Sequence, residues 1–237
     1  MTLKELLTTA YNSISEGQKL KNHYYDEETG ADFFYEIQEE YLKVYIKHTD
    51  PELEDWLTNF CAVSYSDKTY GAFHKGYFIA FNNFMRYLLD SGYLHTYNYK
   101  EVVITGYSMG GGIAKVAACL FHSYFISKNF KLYAVSMEGP KSINKRANSV
   151  CKQHTNIKLF TIRNGNDIVT KIPFNFVDGG TVIQIGEKRE WWKLGIKFEY
   201  NKDKKGIRKF IDIPEHHYAS FKENLKKYIN EVEENEL

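Results

Sequence analysis

The sequence predicts an α/β protein with a mostly parallel central sheet and helices on both of its faces. Apolar, β-branched runs at 101–105, 131–137 and 157–162 read as strands covered on both sides. Segments with helical apolar spacing alternate with them through the middle of the chain. No repeat, Pro-rich linker or low-complexity tract divides the 237 residues, so the expectation is one domain over 1–237.

Residues 2–15 space their apolar side chains as a helix does. The stretch FFYEIQEEYLKVYIKHT, 33–49, is aromatic, β-branched and partly alternating, which suggests two short strands. DPELEDWLTNF, 50–60, starts as a helix, with Asp50 as N-cap, Pro51 at the first helical position and acids in the first turn. Its Leu53, Trp56, Leu57 and Phe60 form one apolar stripe. An amphipathic helix follows over 72–93, ending near Ser91-Gly92. Then come strand 101–105, a helix from about 109 to 127, strand 131–137, a helical stretch near 142–152 and strand 157–162. A hairpin-like region is expected over 181–200 and a last helix over 217–232.

Composition narrows the classes. An apolar fraction of 43% with 16% aromatics supplies a core and argues against disorder. A net charge of +1, with no basic reading motif, gives no electrostatic case for nucleic acid. No run approaches the roughly 18 apolar residues of a membrane span. MTLKELLTTAYNSI lacks a signal peptide's apolar stretch, so the expected address is cytoplasmic. Cys61, Cys119 and Cys151 are odd in number and not spaced as metal ligands, which reads as free thiols in a reducing compartment. The eight histidines form no H-E-x-x-H or similar cluster, so neither metal nor cofactor is expected.

The chemistry concentrates in VVITGYSMGGGIAKVAACL, Val102 to Leu120. A G-x-S-x-G string recurs by accident in many chains, and the plain alternative is a glycine-rich loop. Here a buried strand precedes it. A helix follows, with Ile113, Val116, Ala117, Leu120 and Tyr124 on one face. Gly106 and Gly110 leave room where a sharp turn brings backbone onto backbone. Gly111 and Gly112 each cost a helix about 1 kcal/mol relative to Ala, implying close packing or room for a ligand. Ser108 then sits at a helix N-terminus, where the Met109 N–H is the natural donor to a developing oxyanion.

A serine nucleophile needs a base and a group to orient it, in the chain order Ser, acid, His. Asp167, in TIRNGNDIVTKIP, follows strand 157–162 and could equally cap its turn. His154 precedes Asp167 and breaks the order. DIPEHHY leaves His216 and His217 open on residues alone.

Taken together these stretches resemble the class 3 lipase family, the fungal triacylglycerol lipase type, a branch of the α/β-hydrolases. GYSMGGGIA resembles its G-H-S-L-G-G-A-x-A elbow, RNGNDIVTKIP its acid turn, and DIPEHHY its D-I-P-x-H terminus. VYIKHTDPELEDWLTNF resembles its strand ending in R-G-[ST] with the helix beyond, FHKGYF its H-x-G-F segment, and AVSMEGPKSIN, loosely, its T-F-G-x-P-R-x-G-N stretch. The likeness is collinear over about 40 to 220.

The resemblance implies an α/β-hydrolase fold and a serine hydrolase of lipid carboxylic esters, triacylglycerol lipase or phospholipase-type, working through an acyl-enzyme without a cofactor. It implies Ser108, Asp167 and His216 as triad, Met109 and Thr49 as oxyanion donors, and His74 as a structural residue near the site. Helix 50–60 takes the lid's place, with Leu53, Trp56, Leu57 and Phe60 as its apolar stripe; a fixed helix packed on the core fits that stripe equally well. Two motifs depart: R-G-[ST] reads Lys47-His48-Thr49, and T-F-G-x-P reads S-M-E-G-P, displacing its Gly. A soluble short-chain carboxylesterase and a catalytically weak lipid-binding module are the alternatives. The segment 187–210, with paired tryptophans and many lysines, reads either as a surface for anionic lipid or as a β-hairpin.

Overall fold

The computed structural model describes residues 1–47, 63–96, 99–124, 129–165, 167, 169–186, 196–201, 206–211 and 218–233. The expected helix over 50–60 with Leu53, Trp56, Leu57 and Phe60 lies outside the described residues, as do Cys61, Thr49, His216 and His217.

Helix α1, Leu3–Glu16, begins where Thr2 and Glu5 form a reciprocal capping box. Glu5 N–H donates to Thr2 Oγ1 at 3.2 Å, and Thr2 N–H to Glu5 Oε2 at 2.7 Å. Three antiparallel strands follow: β1 Asn22–Asp26, β2 Ala31–Gln38 and β3 Tyr41–Lys47. The two strands expected within 33–49 are β2 and β3. A two-stranded ribbon, β4 Ser64–Asp67 with β5 Gly71–His74, leads into α2, Lys75–Asp90.

The helix expected from 72 is thus corrected at its start. Residues 72–74 belong to β5, where Phe73 is buried and bridges Ile143, a contact that local periodicity does not reveal. The helix ends as expected, with Gly92 in the left-handed region at φ 74°.

Strand β6, Glu101–Tyr107, runs into α3, Met109–Leu120, which tightens to a 3-10 turn over Phe121–Tyr124; the rest of the helix expected to 127 lies outside the described residues. Beyond lie β7 Lys131–Met137, α4 Lys145–Gln153 and β8 Ile157–Asn164. The start of α4 comes three residues later than expected, because Asn144 is its cap and accepts the Ala147 N–H at 2.8 Å.

The hairpin expected over 181–200 is also corrected. Strand β9, Thr181–Ile185, pairs in parallel with β8, and the hairpin is β10 Ile196–Asn201 with β11 Gly206–Ile211. Helix α5, Tyr218–Glu231, is the expected last helix.

The main sheet has seven strands in the order β1-β2-β3-β6-β7-β8-β9, parallel from β3 to β9. Period-two alternation splits its side chains between two cores. Val102 and Ile104 of β6 join Ala80, Phe81, Phe84 and Leu88 of α2 and Ile113 and Val116 of α3. Val103 faces the other way, to Leu6, Leu7 and Ala10 of α1 and Phe221, Leu225 and Ile229 of α5. Both sides of β6 are therefore dry, which is why its sequence is apolar without a break. The thiols of Cys119 and Cys151 are free and buried between α3 and α4, each donating to a carbonyl of the opposite helix. No described helix is long and apolar enough to cross a membrane.

Phe221 anchors α5 to the sheet at full burial. Phe221→Ala should destabilise the protein by about 3–5 kcal/mol, read from the urea midpoint; a loss under about 1 kcal/mol would show α5 to be weakly docked.

Candidate active site

At the C-terminal edge of the parallel strands the chain turns too tightly for side chains. Ser108 stands between β6 and α3 with φ 53° and ψ −121°, outside the ordinary range of a non-glycine residue. Such a conformation costs of order 1–3 kcal/mol. It is held by the Ser108 N–H, which donates to Met137 O at 2.8 Å, and by the Ser108 carbonyl, which accepts Gly112 N–H at 3.2 Å.

The turn closes only because two positions lack a Cβ. One built at Gly106 would lie 2.2 Å from Gly110 O, and one at Gly110 would lie 2.1 Å from Ile46 O. Helix α3 thus starts in backbone contact with the end of β3. A Cβ at Gly111 would meet the Gly139 backbone at 2.8 Å, and one at Gly112 the Tyr77 ring at 2.5 Å. The two extra glycines serve packing.

Ser108 itself is buried, and Met109 beside it heads the helix, where the dipole favours a negative charge. Thr49, the other expected donor, lies outside the described residues, two positions beyond Lys47 at the end of β3.

Asp167 follows β8 through a turn in which Gly165 is left-handed, at φ 51°. Its N–H donates to Asn164 O at 3.1 Å, its Oδ1 accepts Val169 N–H at 2.9 Å, and its carbonyl accepts the Thr170 hydroxyl at 2.8 Å. Asp167 therefore does cap its turn. It is also buried, and its charge is felt at Tyr107, the residue before Ser108. Burial, then the charges of Glu138 and Asp167, push the Tyr107 phenol far above its usual pKa.

The expected base, His216, lies outside the described residues, but the chain just after it does not. Tyr218, first residue of α5, sets its ring edge-on to Tyr107, centroids 6.0 Å apart.

Three residues at this edge were not assigned a role from the sequence. Glu138, directly after β7, is fully buried and left-handed at φ 49°. Its only sequence signal is the motif position where the resemblance expects Gly. Lys115, nearly two turns into α3, donates from Nζ to Gly139 O at 2.8 Å and Pro140 O at 3.0 Å, with Asp178 at 4.0 Å. Asp178 also pairs with Arg163. Burial drives the Lys115 pKa well down. Tyr107 is the third.

A cleft of about 290 Å³ opens beside Met109, lined mainly by Ala31, Tyr77, Ile79, Ala80 and Ile113, with Glu28 and Thr29 supplying polar groups. His74 borders it, its ring tilted against Tyr77 with centroids 4.1 Å apart. Among the described residues no group of three or more His, Cys, Asp or Glu could hold a metal ion.

A strained serine at a strand-to-helix turn, with an acid turn on a nearby parallel strand, places the chain in the class of α/β-hydrolases. The fold is similar to that of a triacylglycerol lipase from Penicillium expansum, at 11% identity over 78% of this chain and 79% of that one, TM-score 0.58. It is also similar to a Rhizomucor miehei lipase in its propeptide complex, at 19% identity over 79% and 69%, TM-score 0.57. A further structure in which a serine protease triad forms the catalytic centre of a triacylglycerol lipase matches at 18% identity over 77% of each chain, TM-score 0.57. Comparison with curated proteins gives no match. The sequence profile of the family Lipase (class 3) matches residues 44–177, more than half of the chain. The protein belongs to the class 3 lipase family.

Burial holds the His74 imidazole pKa down to about 4. Its unfolded value is about 6.5, so over this interval the unfolded chain binds more protons and stability falls as pH falls. Urea unfolding should lose up to about 3 kcal/mol from this residue between pH 6.5 and 4. In His74→Asn that share of the slope should vanish; an unchanged slope would mean that other groups carry it.

Proposed function

We propose that the protein hydrolyses lipid carboxylic esters through Ser108, His216 and Asp167, with Met109 and Thr49 N–H groups as the oxyanion hole. Membership of the class 3 lipase family makes ester hydrolysis the activity. The observation that carries the residue assignment is convergence at one sheet edge. Ser108 follows β6, Asp167 follows β8, and Tyr218, two residues beyond His216, packs on the residue preceding Ser108.

In this reading His216 takes the Ser108 hydroxyl proton while the oxygen attacks the ester carbonyl. The tetrahedral oxyanion is met by amide donors fixed before reaction, Met109 at the head of α3 and Thr49 beyond β3. Asp167 orients the imidazole and offsets its positive charge, using carboxylate capacity that its turn-capping bond to Val169 leaves over. Collapse of the intermediate expels the alcohol, which takes the proton from His216. Water then repeats the sequence on the acyl-enzyme and frees the acid.

The cleft beside Met109 supplies the acyl site. Its walls are apolar, and its volume lies near the lower end of the roughly 300–1,000 Å³ common for small-molecule sites, which suits a single acyl chain of moderate length.

Ser108→Ala should lower turnover on a p-nitrophenyl ester by about 10³- to 10⁶-fold and abolish labelling by a fluorophosphonate probe. Retained hydrolysis would remove Ser108 from the mechanism. Ile79→Trp, which fills some of the cleft, should shift preference toward shorter chains, with kcat/KM falling roughly fourfold per methylene no longer buried. An unaltered chain-length profile would place the acyl chain elsewhere.

A further inference from the structure

The reaction as assigned leaves a buried cation unused. Lys115 lies within α3 with its side chain wholly covered. A lysine in the interior is costly unless its donors are met. Here Nζ donates to Gly139 O at 2.8 Å and to Pro140 O at 3.0 Å, and it faces Asp178 at 4.0 Å. Asp178 is itself paired with Arg163 of β8. An apolar side chain would often fill such a space at less cost. The use of the ammonium therefore lies in what it grips.

It grips the loop after β7, and that loop carries the acid turn. Lys141, next in the chain, donates its N–H to Ile172 O at 2.8 Å, and Ile143 O accepts Val177 N–H at 2.8 Å. Ile172 closes the acid turn, donating its N–H to Val169 O at 3.4 Å. Val169 N–H in turn donates to Asp167 Oδ1 at 2.9 Å. A continuous run of hydrogen bonds and peptide units thus joins the Lys115 ammonium to the Asp167 carboxylate. The Ser142 hydroxyl ties the same loop to α3 a second time, donating to Gly112 O at 2.8 Å.

Ser108 heads the helix that holds Lys115, whereas Asp167 follows β8, two strands from β6. The loop after β7 is the bridge between them. We propose that Lys115 is a positioning residue: by clamping that loop to α3 it sets where the acid turn, and with it the Asp167 carboxylate, stands relative to Ser108. This rests on the reading of Asp167 as the triad acid.

A double-mutant cycle in steady-state kinetics on a soluble p-nitrophenyl ester tests it, with thermal melts to establish folding. Lys115→Met fills a similar space without a donor. It should lower kcat by about 10- to 100-fold with KM within about twofold of the parent, as a misplacement of around 1 Å does. Asp167→Asn should slow turnover by about 10⁴-fold. Adding Lys115→Met to Asp167→Asn should then cost less than about twofold, because a carboxylate already removed cannot be misplaced. Should Lys115→Met not fold, Lys115→Gln, which keeps a donor on a shorter arm, takes its place in the cycle. It should lose about 3- to 10-fold in kcat, again only where Asp167 is present.

An equal loss in the parent and in the Asp167→Asn background would mark Lys115 as a stabilising residue only and overturn the role. So would an unchanged kcat in Lys115→Met. Asp167→Asn alone separates this from failure of the underlying reading. If that variant is slow while Lys115→Met is fast, only the positioning role is rejected. If it is as fast as the parent, the acid assignment fails and the role falls with it.

Discussion

The contact between the Gly110 backbone and the Ile46 carbonyl is the constraint on which the rest of this molecule depends. A Cβ at Gly110 would sit 2.1 Å from that oxygen, so the start of α3 approaches the end of β3 only without side chains. Gly106 has the same role a turn earlier, against the Gly110 carbonyl. Once these backbones meet, Ser108 has no ordinary conformation left to it, and its hydroxyl is carried to the edge of the sheet. The end of β3, where the chain continues toward Thr49, is brought beside the head of α3 by the same contact. The position of Ser108 and that of the end of β3 are thus not set independently; one close approach fixes both.

The same edge gathers the unfavourable conformations of the fold. Ser108 and Glu138 are the non-glycine residues with positive φ among those described, and they follow neighbouring parallel strands at matching heights. Each continues the sheet ladder by one bond, Ser108 N–H to Met137 O and Glu138 N–H to Ile162 O. That extra rung explains how two strained residues are tolerated: the sheet register fixes their amides before their side chains have any choice. Lys115 adds a second restraint by holding the carbonyls after Glu138, at the expense of a lysine that burial has pushed toward neutrality. Strain here is spread over hydrogen bonds that are individually ordinary.

Much of this was legible in the sequence, for reasons that differ by element. β6 and β7 announce themselves because both faces of each are buried, so apolarity is unbroken. The glycines of the elbow are legible because backbone contact admits no other residue. Asp167 could be picked out by its place after a strand, although its capping of its own turn was an equally good reading, and the capping is what its hydrogen bonds show. What could not be read was set at a distance. Gly71–His74 is a strand because β4 pairs with it and Ile143 bridges it. β9 is not half of a hairpin because β8 claims it in parallel. Glu138 looked only like a misplaced letter in a motif, since Lys115, which clamps the two carbonyls after it, lies on the helix before its strand.

That last case bears on how a family signature tolerates change at low identity. The elbow motif carries Tyr107 where the resemblance expects His, and the strand after it carries Glu138 where Gly is expected. Taken singly, each change is costly: a phenol must be buried with its hydroxyl, and a carboxylate must sit in a left-handed turn. The two are coupled electrostatically, the Glu138 charge adding to burial in pushing the Tyr107 phenol above its usual pKa. The pair spans β6 and β7 and reaches α5 through Tyr218 and Phe221. The fold is thus kept at 11–19% identity to these structural neighbours although the residues beside the elbow depart from the family motif.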